Sequence, residues 1–448
     1  MSLNRPPVGW APALVLAGLL AAQDPPQKLN PQESCTANCH QDLVKDDFVH
    51  KPLAEGKCIA CHKQPEATAH EFEQIDDINE SCAACHEAKD EGVIHPPYET
   101  MDCTTCHSPH HGKTKGLLST PDVLSLCATC HGPVKESLGK PFVHGPVADG
   151  DCLLCHDAHS APEAKLLQVE PIGLCGKCHS ELTNRMDEAE SVHAPASFDC
   201  LQCHDAHAAD HEFQLKKGVP DLCLSCHKPL AESLQGSATP HGALTSDRKC
   251  LNCHRPHESA NAKLLEKPQR ELCSGCHEKA QERAGGGEPV AAIGALIASM
   301  KVLHGPIRDG ECTPCHQPHV SPNQKLLQKG FAPRFYAPFE ESNYELCFSC
   351  HDKKVFETPE TTELTGFRNG DKNLHFVHVN DPRKGRTCRA CHEIHGANQP
   401  KMLATSVPFG NWQLPIRWQG TDDGGSCAPA CHKPRSYARG APSSLPGK

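Results

Sequence analysis

The chain has 448 residues, enough for two or three ordinary domains. Aromatic residues make up only 4%, proline numbers 39 and glycine 33, and mean hydropathy is −0.51, so little apolar surface is available for a conventional core. The formal charge of −11 argues against nucleic acid as a partner.

At the N-terminus Arg5 precedes an apolar stretch from Val8 to Ala22, followed by polar Gln23, Asp24 and Pro25. This predicts a secretory signal peptide over residues 1–22, cleaved after Ala22, with an uncleaved anchor as the other reading. Loss of Arg5 with the signal takes the formal charge from −11 to −12. No later stretch predicts a membrane span. The best candidate, Ala291 to Met300, is ten residues long, where a span needs about 20.

Beyond residue 22 all thirty cysteines fall into fifteen pairs, and a histidine follows every pair at once. In chain order they are Cys35, Cys39, His40; Cys58, Cys61, His62; Cys82, Cys85, His86; Cys103, Cys106, His107; Cys127, Cys130, His131; Cys152, Cys155, His156; Cys175, Cys178, His179; and Cys200, Cys203, His204. The series continues with Cys223, Cys226, His227; Cys250, Cys253, His254; Cys273, Cys276, His277; Cys312, Cys315, His316; Cys347, Cys350, His351; Cys388, Cys391, His392; and Cys427, Cys431, His432. Thirteen have two residues between the thiols. The first and the last have three.

A disulfide framework would not place histidine after each second cysteine. Zinc would need pairs combined with pairs. Two thiols at this spacing can instead add to the two vinyl groups of one porphyrin, and the next residue then offers imidazole to the iron. Fifteen motifs predict fifteen covalently attached haems c, one for about 30 residues of chain. The haem faces must then supply much of the buried apolar surface. The expected fold class is a low-secondary-structure multihaem cytochrome, mostly irregular, with short α-helices wrapped around a haem stack. At this density neighbouring haem centres should lie roughly 20 Å apart or less. Attachment of this kind takes place outside the cytoplasmic membrane, in agreement with export.

Seventeen histidines lie outside the motifs, and their placement is regular. One set precedes the first motif of a two-motif block by seven to ten residues: His50, His95, His144, His193, His241, His304 and His378. Another lies three residues after the first motif's histidine: His110, His159, His207, His257, His319 and His395, with His70 as a displaced member. These fourteen are candidates for the distal face of the irons. A fifteenth must come from His111, His211 or His375. Methionine is the other axial option, but Met101, Met186, Met300 and Met402 do not recur in register.

The blocks themselves repeat. His144 precedes Cys152, Cys155, His156, His159, Lys165-Leu166-Leu167, Leu174, Cys175, Cys178 and His179, and the order recurs from His241 and from His304. This order resembles the doubled Cys-x-x-Cys-His family of multihaem c-type cytochromes, over nearly the whole chain after residue 22. The resemblance implies a bis-histidine, electron-carrying, exported cytochrome of respiratory or extracellular electron transfer. The recurring leucines read as packing residues. Pro133 to Gly139 and Pro229 to Gly236 read as short helices closed by glycine.

From His62 to His277 successive motif histidines are 21 to 27 residues apart; thereafter the gaps are 39, 35, 41 and 40. Thirteen of the 20 aromatic residues fall in 331–448. The reading is a compact array over 23–277 with 11 haems, a looser region over 278–432 with 4, and a disordered basic tail over 433–448. Gly285-Gly286-Gly287 and a small buried helix in Ala291–Val302 would mark the join; a docking helix is the other reading of that segment.

Irons capped on both faces have no position for a small substrate, and what remains is Fe(III)/Fe(II) exchange. The expected function is therefore an electron carrier and not an enzyme: an exported conduit in the periplasm, at the outer membrane surface or outside the cell. Its partners would be other cytochromes, membrane quinol-oxidising complexes or outer-membrane conduits, and end-to-end filaments or homo-oligomers are an open extension. The first and last motifs would be the terminal ports. The alternatives are a multihaem reductase with one open haem and a periplasmic electron store.

Overall fold

The computed structural model of the chain describes residues 28–30, 34–87, 92–236, 238–282 and 289–440. The signal segment 1–22 and the Gly285-Gly286-Gly287 run lie outside the described residues. Most of the described backbone is irregular. The longest helices, Ser180–Glu188 and Gln269–His277, have nine residues each. The proline-led segments do form helices, over Gly132–Ser137 and Lys228–Gln235. Proline in the first helical turn costs no hydrogen bond there. The segment after the glycine run forms a helix over Ile293–Ser299, with Gly294 and Ile297 buried. Among the described residues no helix is long and apolar enough to cross a membrane.

Regular pairing between blocks is reduced to two-residue antiparallel ladders. Each joins the residues just before one non-motif histidine to the residues just after another, one block further on. Phe48–Val49 pairs with His111–Gly112, and Val93–Ile94 with Ser160–Ala161. Ser191–Val192 pairs with Glu258–Ser259, Thr239–Pro240 with Val320–Ser321, and Val302–Leu303 with Gly396–Ala397. Next to each ladder one histidine's amide donates to the carbonyl of the other: His50 to His110 at 2.7 Å, His95 to His159 at 2.8 Å, His193 to His257 at 2.8 Å. The inner strand is buried although it is short; Ala161 is 2% exposed and Ser321 2%.

The Lys-Leu-Leu steps are turns. Lys165 and Leu166 both have left-handed backbone, φ 59° and 60°, and the same holds for Phe213 and Gln214, Lys263 and Leu264, Lys325 and Leu326, and Lys401 and Met402. Side chains on left-handed backbone cost about 1–2 kcal/mol per residue, so ten such residues in five equivalent turns must be held there by something.

The chain divides into two compact units, one of Met1–Gly139 with Val143–Glu170, the other of Lys140–Phe142 with Pro171–Lys448. Haem-motif spacing lengthens after His277, but no compact unit ends there, because the Thr239–Pro240 and Val320–Ser321 ladder ties the two sides together. The second unit holds the only conventional core among the described residues. Ala404, Val407 and Ile416 are buried under Phe335, Leu414 and Trp418. Ser406–Phe409 and Trp412–Pro415 form a hairpin, and Trp418–Thr421, Gly424–Cys427 and Arg435–Ala438 form a three-stranded antiparallel sheet. The expectation of a disordered tail from 433 therefore fails for Arg435–Ala438. Tyr437 anchors that strand: its hydroxyl accepts from Trp418 Nε1 at 3.1 Å, and its ring meets Phe367 edge-on. Residues 441–448 lie outside the described residues.

Candidate functional site: paired histidines between motif cysteines

The motif backbone is the same at most positions. The histidine amide returns to the first cysteine's carbonyl, as in His107 to Cys103 at 2.9 Å and His316 to Cys312 at 3.0 Å; in first motifs such as Cys103–Thr105 the turn starts at that cysteine, and in second motifs such as Val123–Cys127 a helix leads into it. This turn sets both thiols and the imidazole on one side of the chain. All thirty cysteines are free of one another as disulfides.

Thirteen motif histidines lie opposite a non-motif histidine, ring facing ring. In the first unit the pairs are His40 with His70, His50 with His86, His62 with His110, His95 with His131 and His107 with His159, at centroid distances of 6.0–6.1 Å. In the second unit His193 faces His227, His204 faces His257, His241 faces His277, and His254 faces His319, at 6.0–6.2 Å. His304 faces His351 at 6.0 Å, His316 faces His395 at 6.3 Å, and His375 with His392 and His378 with His432 stand at 6.5 Å. Rings this far apart do not pack on each other. An imidazole–metal bond is about 2 Å. Two such bonds, with about 1 Å from nitrogen to ring centre on each side, separate the centres by roughly 6 Å. The donor set and its spacing therefore fit one six-coordinate iron between each pair.

The pairing follows a rule. A second-motif histidine faces the histidine that opens its own block, as His86 faces His50 and His277 faces His241. A first-motif histidine faces a histidine of the next block, as His62 faces His110 and His254 faces His319, with His392 as the exception, facing His375. The two-residue ladders make the second kind of pairing possible, since they bring the next block's histidine alongside. His156 and His179 among the motif histidines, and His144 and His207 among the others, carry interactions of their own.

Three candidates competed for the fifteenth position. His375 is the one set against a motif histidine. His111 is instead held by Asp46, Nδ1 to Oδ2 at 2.7 Å. His211 lies against Gly218. His375 and His378 share the helix Leu374–Val379, whose N-terminus is capped by fully buried Asn373. Asn373 Oδ1 accepts from the His375 and Phe376 amides, and its Nδ2 donates to the Val355 and Thr358 carbonyls.

Ring orientation is fixed through Nδ1, which leaves Nε2 to face inward. First-motif histidines donate to a carbonyl nine residues on: His107 to Gly116 at 2.7 Å, His156 to Lys165 at 2.9 Å, His204 to Phe213 at 2.8 Å. His254, His316 and His392 use Lys263, Lys325 and Lys401 at 3.0, 2.9 and 3.0 Å. In all but the first case the accepting carbonyl belongs to the left-handed turn. The strained turn thus has a task that the sequence did not disclose: it aims a carbonyl at the histidine ring. His50, His95 and His193 are held in the same way by the carbonyls of Pro109, Ala158 and Pro256, at 2.9, 2.9 and 3.0 Å. Burial draws His375 and His395 down to about 4, so both are neutral at neutral pH, the form in which imidazole binds a metal.

Cysteines of successive motifs also meet. Neighbours are Cys35 and Cys58, Cys82 and Cys103, and Cys127 and Cys152 in the first unit, and Cys223 and Cys250, Cys273 and Cys312, and Cys347 and Cys388 in the second. Each contact joins the first thiol of one motif to the first thiol of the next. Inside a block the second thiols are neighbours, as Cys106 with Cys130 and Cys315 with Cys350. Tyr344 is 1% exposed, its hydroxyl has no partner, and it lies beside Cys347 and Cys388. A polar group buried there fits a site where a group with polar edges is to be held.

No curated protein matches the chain. A family described by a doubled CXXCH motif matches it seven times, over residues 50–91, 95–136, 144–184, 193–232, 241–282, 304–356 and 380–409. These matches cover more than half of the sequence and coincide with the blocks just described, so the chain belongs to the doubled CXXCH motif family, whose paired motifs are sites for covalently bound haem c.

Proposed function

We propose that the protein is an exported fifteen-haem c-type cytochrome that conducts electrons between redox partners in the periplasm or outside the cell. The observation that carries this reading is the set of facing imidazoles at 6.0–6.5 Å, one pair for each of thirteen motif histidines. When bound, haem c supplies reversible exchange between ferric and ferrous iron. The motif cysteines would hold it, with the motif histidine and the histidine facing it as the residues offered to its iron. His144, of the first regular set, and His207, of the second, would serve the two other motifs. With both faces taken, no position is left for a substrate, which favours a carrier over a reductase.

Thiol contacts between successive motifs support a haem order that follows chain order within each unit. First-thiol contacts alternate with second-thiol contacts, so neighbouring attachment edges meet along the run. Short helices and ladders then act as a wrapping around a haem stack. The partners would be other cytochromes and membrane or outer-membrane redox complexes, and the dense array 23–277 and looser region 278–432 would differ in how closely the haems are spaced.

The test is haem stoichiometry combined with electron paramagnetic resonance on the exported protein. Fifteen haems per chain, all low-spin, are expected. A count far below the motif number, or a large high-spin fraction, overturns the reading.

A further inference from the structure

Of the paired histidines, His375 is held differently. The others described above turn Nδ1 to a backbone carbonyl; His378 uses Leu374 and His432 uses Lys433. His375 Nδ1 instead meets a side-chain hydroxyl, Thr365 Oγ1, at 3.0 Å. That oxygen already accepts the Phe367 amide at 3.1 Å. With Nε2 turned to His392, Nδ1 carries the proton and the hydroxyl must accept. A hydroxyl oxygen that already serves another donor is a weaker acceptor than a free carbonyl. It draws less on the Nδ1 proton, and the ring is correspondingly a poorer electron donor at Nε2.

The same site is also enclosed. The His375 ring is flanked edge-on by Phe356 and Phe367, at 5.6 and 5.2 Å. On the motif side, Ala390 is 2% exposed and is the one buried residue between motif cysteines among the described side chains. Thr387, just before Cys388, is also 2% exposed. A bis-imidazole ferric haem carries one net positive charge and its ferrous form none. Low-polarity surroundings therefore favour the ferrous form, as they disfavour any buried charge. Enclosure and weak acceptor act in the same direction.

We infer that Thr365 tunes the His375–His392 site to the highest reduction potential in the chain, making it the first to take up an electron and the last to give it up. This rests on the reading of that site as a bis-histidine haem. The step is one electron in, ferric to ferrous, with no bond made or broken. The conduit is then uneven: an electron entering from either end settles at the penultimate motif, so the last motif, Cys427, Cys431 and His432, discharges a filled neighbour.

The experiment is a spectroelectrochemical titration of the full haem-loaded protein with dithionite and ferricyanide, in wild type and in Thr365→Val, Thr365→Asp and Thr365→Ser. The most positive fifteenth of the haem absorbance change should move to higher potential in Thr365→Val, which removes the acceptor. It should move to lower potential in Thr365→Asp, which supplies a stronger one, and stay in place in Thr365→Ser, with the other fourteen fifteenths superimposed throughout. If Thr365→Asp does not accumulate, the near-isosteric Thr365→Val decides alone. An unmoved top fraction in Thr365→Val at full haem content sinks the inference and leaves the cytochrome reading standing. A haem content far below fifteen in wild type, measured as the pyridine haemochrome, sinks the reading itself.

Discussion

Replacing His319 by alanine should open one iron and only one. The His319 ring stands 6.0 Å from that of His254, while its backbone, not its side chain, holds the ladder, through the His241 amide on the His319 carbonyl at 2.8 Å. Val320–Ser321 should therefore stay paired with Thr239–Pro240, and neighbouring sites should keep their geometry. The expected change is one haem in fifteen, about 7% of the total, converted to high spin and able to take up one carbon monoxide per chain when reduced. His111→Ala is the matched control. His111 also lies at the end of a ladder, but its ring is held by Asp46 at 2.7 Å, so its loss should cost about 1 kcal/mol of stability and open no iron. Electron paramagnetic resonance and carbon monoxide titration read both variants. A high-spin signal in His111→Ala, or none in His319→Ala at full haem content, would refute the pairing.

Other outcomes follow from the same geometry. Asn373→Ala removes the helix cap and leaves the Val355 and Thr358 carbonyls unpaired in a buried place; a loss of about 2–4 kcal/mol in chemical denaturation is expected, with high-spin character at up to two haems because His375 and His378 share that helix. Lys325→Gly relieves about 1–2 kcal/mol of left-handed strain against roughly 0.5–1 kcal/mol of added backbone entropy, so it should be neutral to slightly stabilising in a thermal melt while haem content is unchanged, because the carbonyl that holds His316 is kept. Glu258, 4% exposed, accepts from Arg185 at 2.8 Å and Arg255 at 3.1 Å; Glu258→Ala should cost about 1–2 kcal/mol in denaturant, less than a fully enclosed pair because both guanidinium groups are about half exposed.

The paired motifs and their blocks were legible in the sequence, because a covalent two-thiol linkage permits little variation in spacing. The register of His50, His95 and His193, and of His110, His159 and His257, was legible too, since each sits at a fixed offset from a motif. Which histidine faces which was not. That depends on ladders such as Phe48–Val49 with His111–Gly112 and Ser191–Val192 with Glu258–Ser259, which are two residues long and too short to mark their partners in sequence. His375 was left among three candidates because it follows no offset; its place comes from sharing a helix with His378. The Lys-Leu-Leu steps read as packing, since a carbonyl's aim is a property of backbone and leaves no mark on residue type. The tail misled by composition: proline, glycine and serine around Tyr437 suggested disorder, while one tyrosine against Trp418 and Phe367 was enough to order a strand.

The cross-block pairings have a consequence for the chain's biogenesis. His62 faces His110, His107 faces His159, His254 faces His319 and His316 faces His395, each 48 to 79 residues further on. If each facing pair holds one haem, as proposed, a polypeptide emerging N-terminus first would carry first-motif haems that await a second imidazole from the next block, and a cut between the two residues would leave that haem with one. On that reading a fragment would not be a shorter conduit but a chain with open irons, so an intact chain would matter for containing that reactivity as well as for carrying electrons.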